Sequence, residues 1–256
     1  MGGTMEALRR MKRKISIIVF ILLGTVIIMS GLNYFTQGAF KPEAKAIPIY
    51  SVDAEEKKVA LTFDSSWGTD KTEAILNTLD EYNIKGTFFL VGQWCDDYPE
   101  KVKDIAKRGH EIGNHSNKHP NFTAISKETM IKELEVTNAK ILELTGNLPR
   151  LFRFPEGAYN DEVVETVQRA GFTTVQWDVD STDWKGYGVE KEYNTVISKT
   201  KPGSIVLFHN DGKYTEKTLP QVIEHFKKEG YEFVNVSDLL MKDNYYLNSE
   251  GRQMKK

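Results

Sequence analysis

Residues 58–91 read KVALTFDSSWGTDKTEAILNTLDEYNIKGTFFLV. A short apolar run (58–64) passes into turn residues Ser65, Ser66 and Gly68. Ala74, Ile75, Leu76 and Leu79 then recur at helical spacing across residues 70–82, and 86–91 (GTFFLV) is strand-like again. Strand, helix, strand is the unit of a parallel sheet, because two strands running the same way need a crossover.

The alternation continues to the end of the chain. Further strands are predicted over residues 111–114, 151–154, 172–178, 204–209 and 231–236, which makes seven. Helices are predicted over 98–108, 126–145, 161–170, 189–200 and 218–229, with Gly109, Gly146 and Gly171 as stops. Seven strands alternating with helices over residues 57–240 suggest an α/β barrel one unit short of the TIM type, with a doubly wound open sheet as the alternative. In both, chemistry sits beyond the C-terminal ends of the strands.

The rest of the chain is organised differently. Residues 1–14 carry five cations against Glu6, and 18 uncharged residues follow, ISIIVFILLGTVIIMSGL. At about 1.5 Å per residue that run makes a helix of roughly 27 Å, close to a bilayer core. Residues 15–34 are therefore expected to be a single transmembrane anchor behind a basic cytoplasmic segment, with the remainder outside the cell membrane. A cleaved signal peptide, with Ala44-Lys45-Ala46 as a small-residue site, and a buried core helix are the rivals. Residues 35–56 read as a linker, and 241–256 as a polar tail that frays.

Composition closes off other classes. The chain has 256 residues, 40% hydrophobic and 27% charged, with a formal net charge of −2, so it is neither disordered nor a nucleic-acid binder by charge. A single cysteine, Cys95, rules out an intramolecular disulfide framework and a four-cysteine zinc site, and reads as a small buried hydrophobe.

Chemistry-bearing residues follow the strands. Asp64 follows the first, where it can be a base, a metal ligand or a helix cap. His115 and His119 follow the third; on a helical turn they could share one ion, and Zn2+ suits an imidazole pair with oxygen ligands. Two surface histidines are the plainer reading. Arg153 and Pro155-Glu156-Gly157 follow the fourth strand, and Arg153 needs a partner such as Asp64. Asp178, Asp180, Asp183 and Trp184 follow the fifth, and His209 the sixth. An acid touching His209 would favour its protonated form, and Asp180 is the acid chosen for that role; a satisfied core histidine is the alternative.

These residues resemble the polysaccharide deacetylases of carbohydrate esterase family 4, which share the NodB homology domain. The resemblance rests on Thr62-Phe-Asp-Ser-Ser-Trp-Gly68, His115-Ser-Asn-Lys-His119, Arg153-Phe-Pro-Glu-Gly157, Asp180-Ser-Thr-Asp-Trp184 and Leu207-Phe-His209, in that order. It implies a distorted (β/α)7 barrel and a divalent-metal-dependent enzyme that removes acetyl groups from N-acetylated glycans such as peptidoglycan. It implies that Asp64 is the general base and that His115 and His119, with Asp64 as a further candidate, bind the metal, Zn2+ or Co2+. Arg153 would hold Asp64. Asp180 would pair with His209, which would protonate the leaving amine. Trp184 and Leu207 would line the acetyl pocket, and the backbone N–H of Glu156, beside Gly157, would serve the oxyanion.

Two positions depart from the family pattern. Ser65 stands where a metal-binding acid is usual, which implies weaker metal binding, and Glu156 stands where a tyrosine is common. A catalytically impaired glycan-binding protein is therefore an alternative, and a glycosidase using Asp178, Asp180 and Asp183 is another. FDSSWG behind a membrane segment is similar to the sporulation-associated, PdaB-type subgroup. That likeness would place the domain outside a membrane, such as that of the forespore, facing spore peptidoglycan. The oligomeric state is left open.

Overall fold

The computed structural model describes residues 45–69 and 71–256. The expected anchor at 15–34 lies outside the described residues. Among the described residues no helix is long and apolar enough to cross a membrane.

In chain order the elements are β1 (Ser51–Val52), β2 (Lys58–Ser65), α1 (Thr72–Glu81), β3 (Thr87–Leu90), α2 (Gly92–Asp97), α3 (Pro99–Lys107), β4 (Glu111–Asn114), α4 (Lys127–Thr145) and β5 (Leu151–Phe152). Then come α5 (Asp161–Arg169), β6 (Thr173–Thr174), β7 (Val179–Asp180), α6 (Val189–Lys199), β8 (Ile205–His209), α7 (Thr215–Lys228), β9 (Glu232–Phe233), α8 (Val236–Leu239), β10 (Tyr245–Leu247) and β11 (Arg252–Lys255).

The main sheet runs β6-β5-β4-β3-β2-β8-β7, with β9 beside the start of β2. Every pairing in it is parallel. Strand β2 is central and buried on both faces, which is why it reads as a continuous apolar run. Its period of two still sorts the side chains. Val59, Leu61 and Phe63 join the cluster under α1 and α7, where Phe63 stacks on Phe88 at 4.8 Å and on Phe208 at 6.0 Å. Burying one such ring contributes on the order of 2–3 kcal/mol. Thr62 and Asp64 alternate to the other side and meet Arg153.

Of the fifth predicted strand, over 172–178, only Thr173–Thr174 is a strand, and it pairs with β5 at one end of the row; a further strand, Val179–Asp180, lies just past the predicted end and pairs with β8 at the other. Between them the Val175 N–H donates to Phe152 O at 2.9 Å and the Asp178 N–H to Ile205 O at 3.2 Å. An extended stretch of this length spans at most roughly 17 Å. The two edges of the sheet must therefore face each other across that gap. The sheet curls into a half-barrel of parallel strands, consistent with the expected distorted barrel and not with a flat, open doubly wound sheet.

The terminal segments correct the sequence reading. The compact unit runs from Ala46 to Lys256, wider than 57–240. Residues 49–52, expected in the linker, are ordered: Ile49 and Val52 are buried, and β1 pairs in parallel with β11. The tail expected to fray forms an antiparallel hairpin, β10–β11, closed by the Gly251 N–H on Asn248 O. Gln253 is fully buried there and clasps Met241, its Oε1 accepting from the main-chain N–H at 2.9 Å and its Nε2 donating to the carbonyl at 3.1 Å. A polar composition hid a strand whose inward residue is a glutamine.

Candidate active site

Asp64 and His209 are register partners at the C-terminal ends of adjacent strands β2 and β8. The deep part of the site is built around Asp64. Arg153, fully buried, donates through Nη1 to Asp64 Oδ1 at 2.7 Å and to Thr62 Oγ1 at 2.9 Å, and through Nη2 to Gln176 O at 3.1 Å. Its guanidinium lies 4.0 Å from the Phe89 ring centroid. Burial works to raise the Asp64 pKa, but the Arg153 charge, then His115, His209 and the Arg153 hydrogen bond, hold it below the usual carboxylate range. Asp64 is thus a charged acceptor with one oxygen committed.

His115 Nε2 lies 3.5 Å from the other oxygen, Oδ2. Its Nδ1–H donates to Arg153 O at 2.9 Å, which fixes the tautomer and leaves the Nε2 lone pair toward the site. Burial pushes His115 down to about 4, so it is neutral, and burial lowers His119 as well. The two rings meet edge to face at 4.9 Å. They do not meet on a helix, as their spacing suggested. The chain turns through Ser116 (φ 68) and His119 (φ 57), both left-handed. Asn114 Oδ1 takes the Ser116 N–H, and Glu133 Oε2 takes the N–H groups of Asn117 and Lys118. Asn114 and Glu133 shape this turn and were missed in the sequence, where neither the end of a short strand nor an acid within a charged helix marks them.

On the other side of the site the expected pair is corrected. Asp183, not Asp180, holds His209: His209 Nδ1 lies 2.8 Å from Asp183 Oδ1. Asp183 is fully buried and also accepts from the His209 and Trp184 N–H groups and from Thr215 Oγ1. Asp180 lines the pocket but turns its Oδ1 to the Thr182 N–H. The reason is the turn after β7, where Thr182 (φ 60) swings the next residue inward. Burial opposes a charge on His209, yet the hydrogen bond and charge of Asp183, with Asp64, raise it to about 9. Asp178 is elsewhere, bonded to Ser204 Oγ and the Ile205 N–H. The three acids therefore share no site, which removes the paired-carboxylate glycosidase reading.

Asp64, His115, His119, Asp180 and His209 line a pocket of ≈ 480 Å3, together with Trp67, Glu156, Trp177, Trp184 and Leu207. Trp67 and Trp184 are more than half exposed at its rim. Trp67 and Trp177 were not assigned from the sequence. Glu156 has φ 59, and among the described residues no protein acceptor takes its N–H. Gly157 lies in the same turn, its N–H spent on Phe154 O. Of the six non-glycine residues with positive φ among the described residues, four, Ser116, His119, Glu156 and Thr182, sit in these loops. Such backbone strain costs on the order of 1–3 kcal/mol per residue and concentrates at working sites.

For a metal, His115 Nε2 and His119 offer two neutral imidazole donors beside Asp64 Oδ2. That set fits two positions of a divalent cation's shell. Among the described residues no three His, Cys, Asp or Glu side chains are grouped as a complete site. Ser65, at the position of the usual acid, is fully buried with its Oγ unpartnered among the described residues.

Comparison with known proteins agrees with this geometry. Residues 51–175 match the polysaccharide deacetylase family model. Peptidoglycan-N-acetylmuramic acid deacetylase PdaA of Bacillus subtilis is 32% identical over 204 residues, covering 78% of each chain. A peptidoglycan-N-acetylglucosamine deacetylase of Bacillus cereus is 38% identical over 196 residues, 75% of this chain and 92% of that one. The crystal structure of BA3943, a CE4 family pseudoenzyme from Bacillus anthracis, superposes with a TM-score of 0.74 at 34% identity, covering 77% of this chain and 70% of that one. The chain belongs to the polysaccharide deacetylase family, carbohydrate esterase family 4. Its enzymes are hydrolases of carbon–nitrogen bonds.

Proposed function

We propose that this protein is a peptidoglycan N-deacetylase, hydrolysing the acetamido group of an N-acetylated sugar to acetate and a free amine. The observation that carries the reading is the placing of a charged acceptor, Asp64, and a protonated donor, His209, on adjacent strand ends in the lining of one pocket. Asp64 Oδ2 takes a proton from the attacking water as its oxygen bonds to the acetyl carbon. The Glu156 N–H is available to the oxygen that gains charge. The C–N bond then breaks, and His209 gives its proton to the departing nitrogen while Asp183 holds the ring. Leu207 and Trp184 supply apolar walls for the methyl group.

His115 and His119 would hold a divalent cation, Zn2+ or Co2+, which when bound polarises the carbonyl and lowers the pKa of water. Ser65 weakens that binding. Mass spectrometry of treated glycan strands tests the reading. Loss of one acetyl mass per modified sugar on an intact strand supports it; strand cleavage, or unchanged mass with every divalent metal added, contradicts it.

A second reading, glycan binding without turnover, is favoured by Ser65 and by the likeness to a pseudoenzyme. A PdaB-type role outside the membrane, with residues 15–34 as anchor, rests on the sequence; membrane fractionation of the full-length protein from sporulating cells tests it.

A further inference from the structure

The catalytic pocket shares Trp184 and Asp211 with a neighbouring depression of ≈ 390 Å3, which Lys185 and Lys213 also line. That depression shares Lys185 with a third, of ≈ 670 Å3, which follows α6 past Tyr187, Lys191 and Lys199. The three form one track leading away from the reacting groups.

Its chemistry is aromatic and cationic. Trp184 and Tyr187 are 61% and 64% exposed, and the Lys185 ammonium lies 4.8 Å and 5.9 Å from their ring centroids. All four lysines are exposed, and among the described residues none of them joins an ion pair. Two acids line the part of the track beyond the catalytic pocket: Asp183, which is bonded to His209, and Asp211 at the junction. No acid lines the third depression.

We infer that this track extends the substrate cleft and takes the carboxylates of a muramoyl-containing glycan strand, the lactyl carboxylates of its alternate sugars. The inference rests on the deacetylase reading of the adjoining pocket. Exposed indole and phenol faces suit the C–H faces of pyranose rings. A neutral polymer of N-acetylglucosamine presents no anion to the lysines, whereas a muramoyl strand freed of its stem peptides presents one lactyl carboxylate per disaccharide. Charged contacts at an exposed rim set substrate preference and salt dependence.

The test is equilibrium binding of the full-length protein to stem-free glycan strands, native or with their carboxyls converted to amides. Amidation is expected to weaken binding about tenfold at low salt, and about 0.5 M salt to remove most of the difference. A combined Lys191→Gln, Lys199→Gln and Lys213→Gln variant should bind native strands about tenfold more weakly and no longer distinguish the amidated form. Equal binding of native and amidated strands by the unmodified protein would overturn the inference, as would an unchanged preference in the variant. Acetate release from the same samples separates the two readings. Carboxylate-dependent binding without acetate supports the track and defeats the deacetylase; acetate release indifferent to amidation does the reverse.

Discussion

Asp183 grips His209 twice: its Oδ1 lies 2.8 Å from the ring Nδ1, and its Oδ2 accepts the backbone N–H at 2.7 Å. One buried acid thus fixes the ring, its tautomer and the end of β8. The same carboxylate is anchored by Thr215 Oγ1 at 2.7 Å, so α7 supports the acid side of the reaction.

Asp183→Asn is expected to lower kcat about 10²- to 10⁴-fold, by the loss of a positioned, protonated imidazole. Asp180→Asn, whose residue makes no bond to His209, should cost less than about tenfold by the same scale. Initial rates of acetate release compare the two; equal losses would mean the pairing is misassigned.

Two groups set the pH profile. Asp64 is held below the ordinary carboxylate range, so activity should persist into mildly acidic solution and fall only as Asp64 is protonated. His209 is raised to about 9, so activity should fall as the pH climbs through that value. Stability follows the same signs. The His209 contribution is complete below its ordinary value of about 6.5 and is lost as pH rises through the folded value. The Asp64 contribution is present above its unfolded value and is lost as pH falls through the folded one. Asp183→Asn should move the alkaline limb downward in a kcat/KM profile.

Arg153→Met leaves Asp64 buried without its cation and should destabilise the fold by about 3–5 kcal/mol, read from urea unfolding. Arg153→Lys should also lose stability, because a point charge cannot span Asp64, Thr62 and Gln176 O together.

Gln253→Ala removes both bonds to the Met241 main chain and should cost about 1–3 kcal/mol. An unchanged thermal midpoint would mean that the C-terminal hairpin contributes nothing to the barrel.

Ser65→Asp should bind Zn2+ at least about tenfold more tightly than the natural chain in calorimetric titration, by adding a carboxylate donor. Equal affinities would remove Ser65 as the cause of weak binding.

The strand–helix alternation was legible because buried parallel strands and amphipathic helices have distinct periods. So were most site residues, since each follows a strand. The two short strands around 172–178 were not, because Thr173-Thr174 and Val179-Asp180 lie in one continuous strand-like stretch and only their pairing partners separate them. The choice of Asp180 over Asp183 failed because the left-handed Thr182 reverses which acid turns inward. The ordered tail failed because Gln253 is buried through hydrogen bonds that composition does not reveal.

The most direct test is acetate release from peptidoglycan by the purified full-length protein, with Zn2+ or Co2+ added after chelation, beside Asp64→Asn and His209→Ala. The account predicts metal-stimulated release by the natural chain and background levels in both variants. Full activity in either variant, or no release by a folded natural chain with any divalent metal, would contradict it.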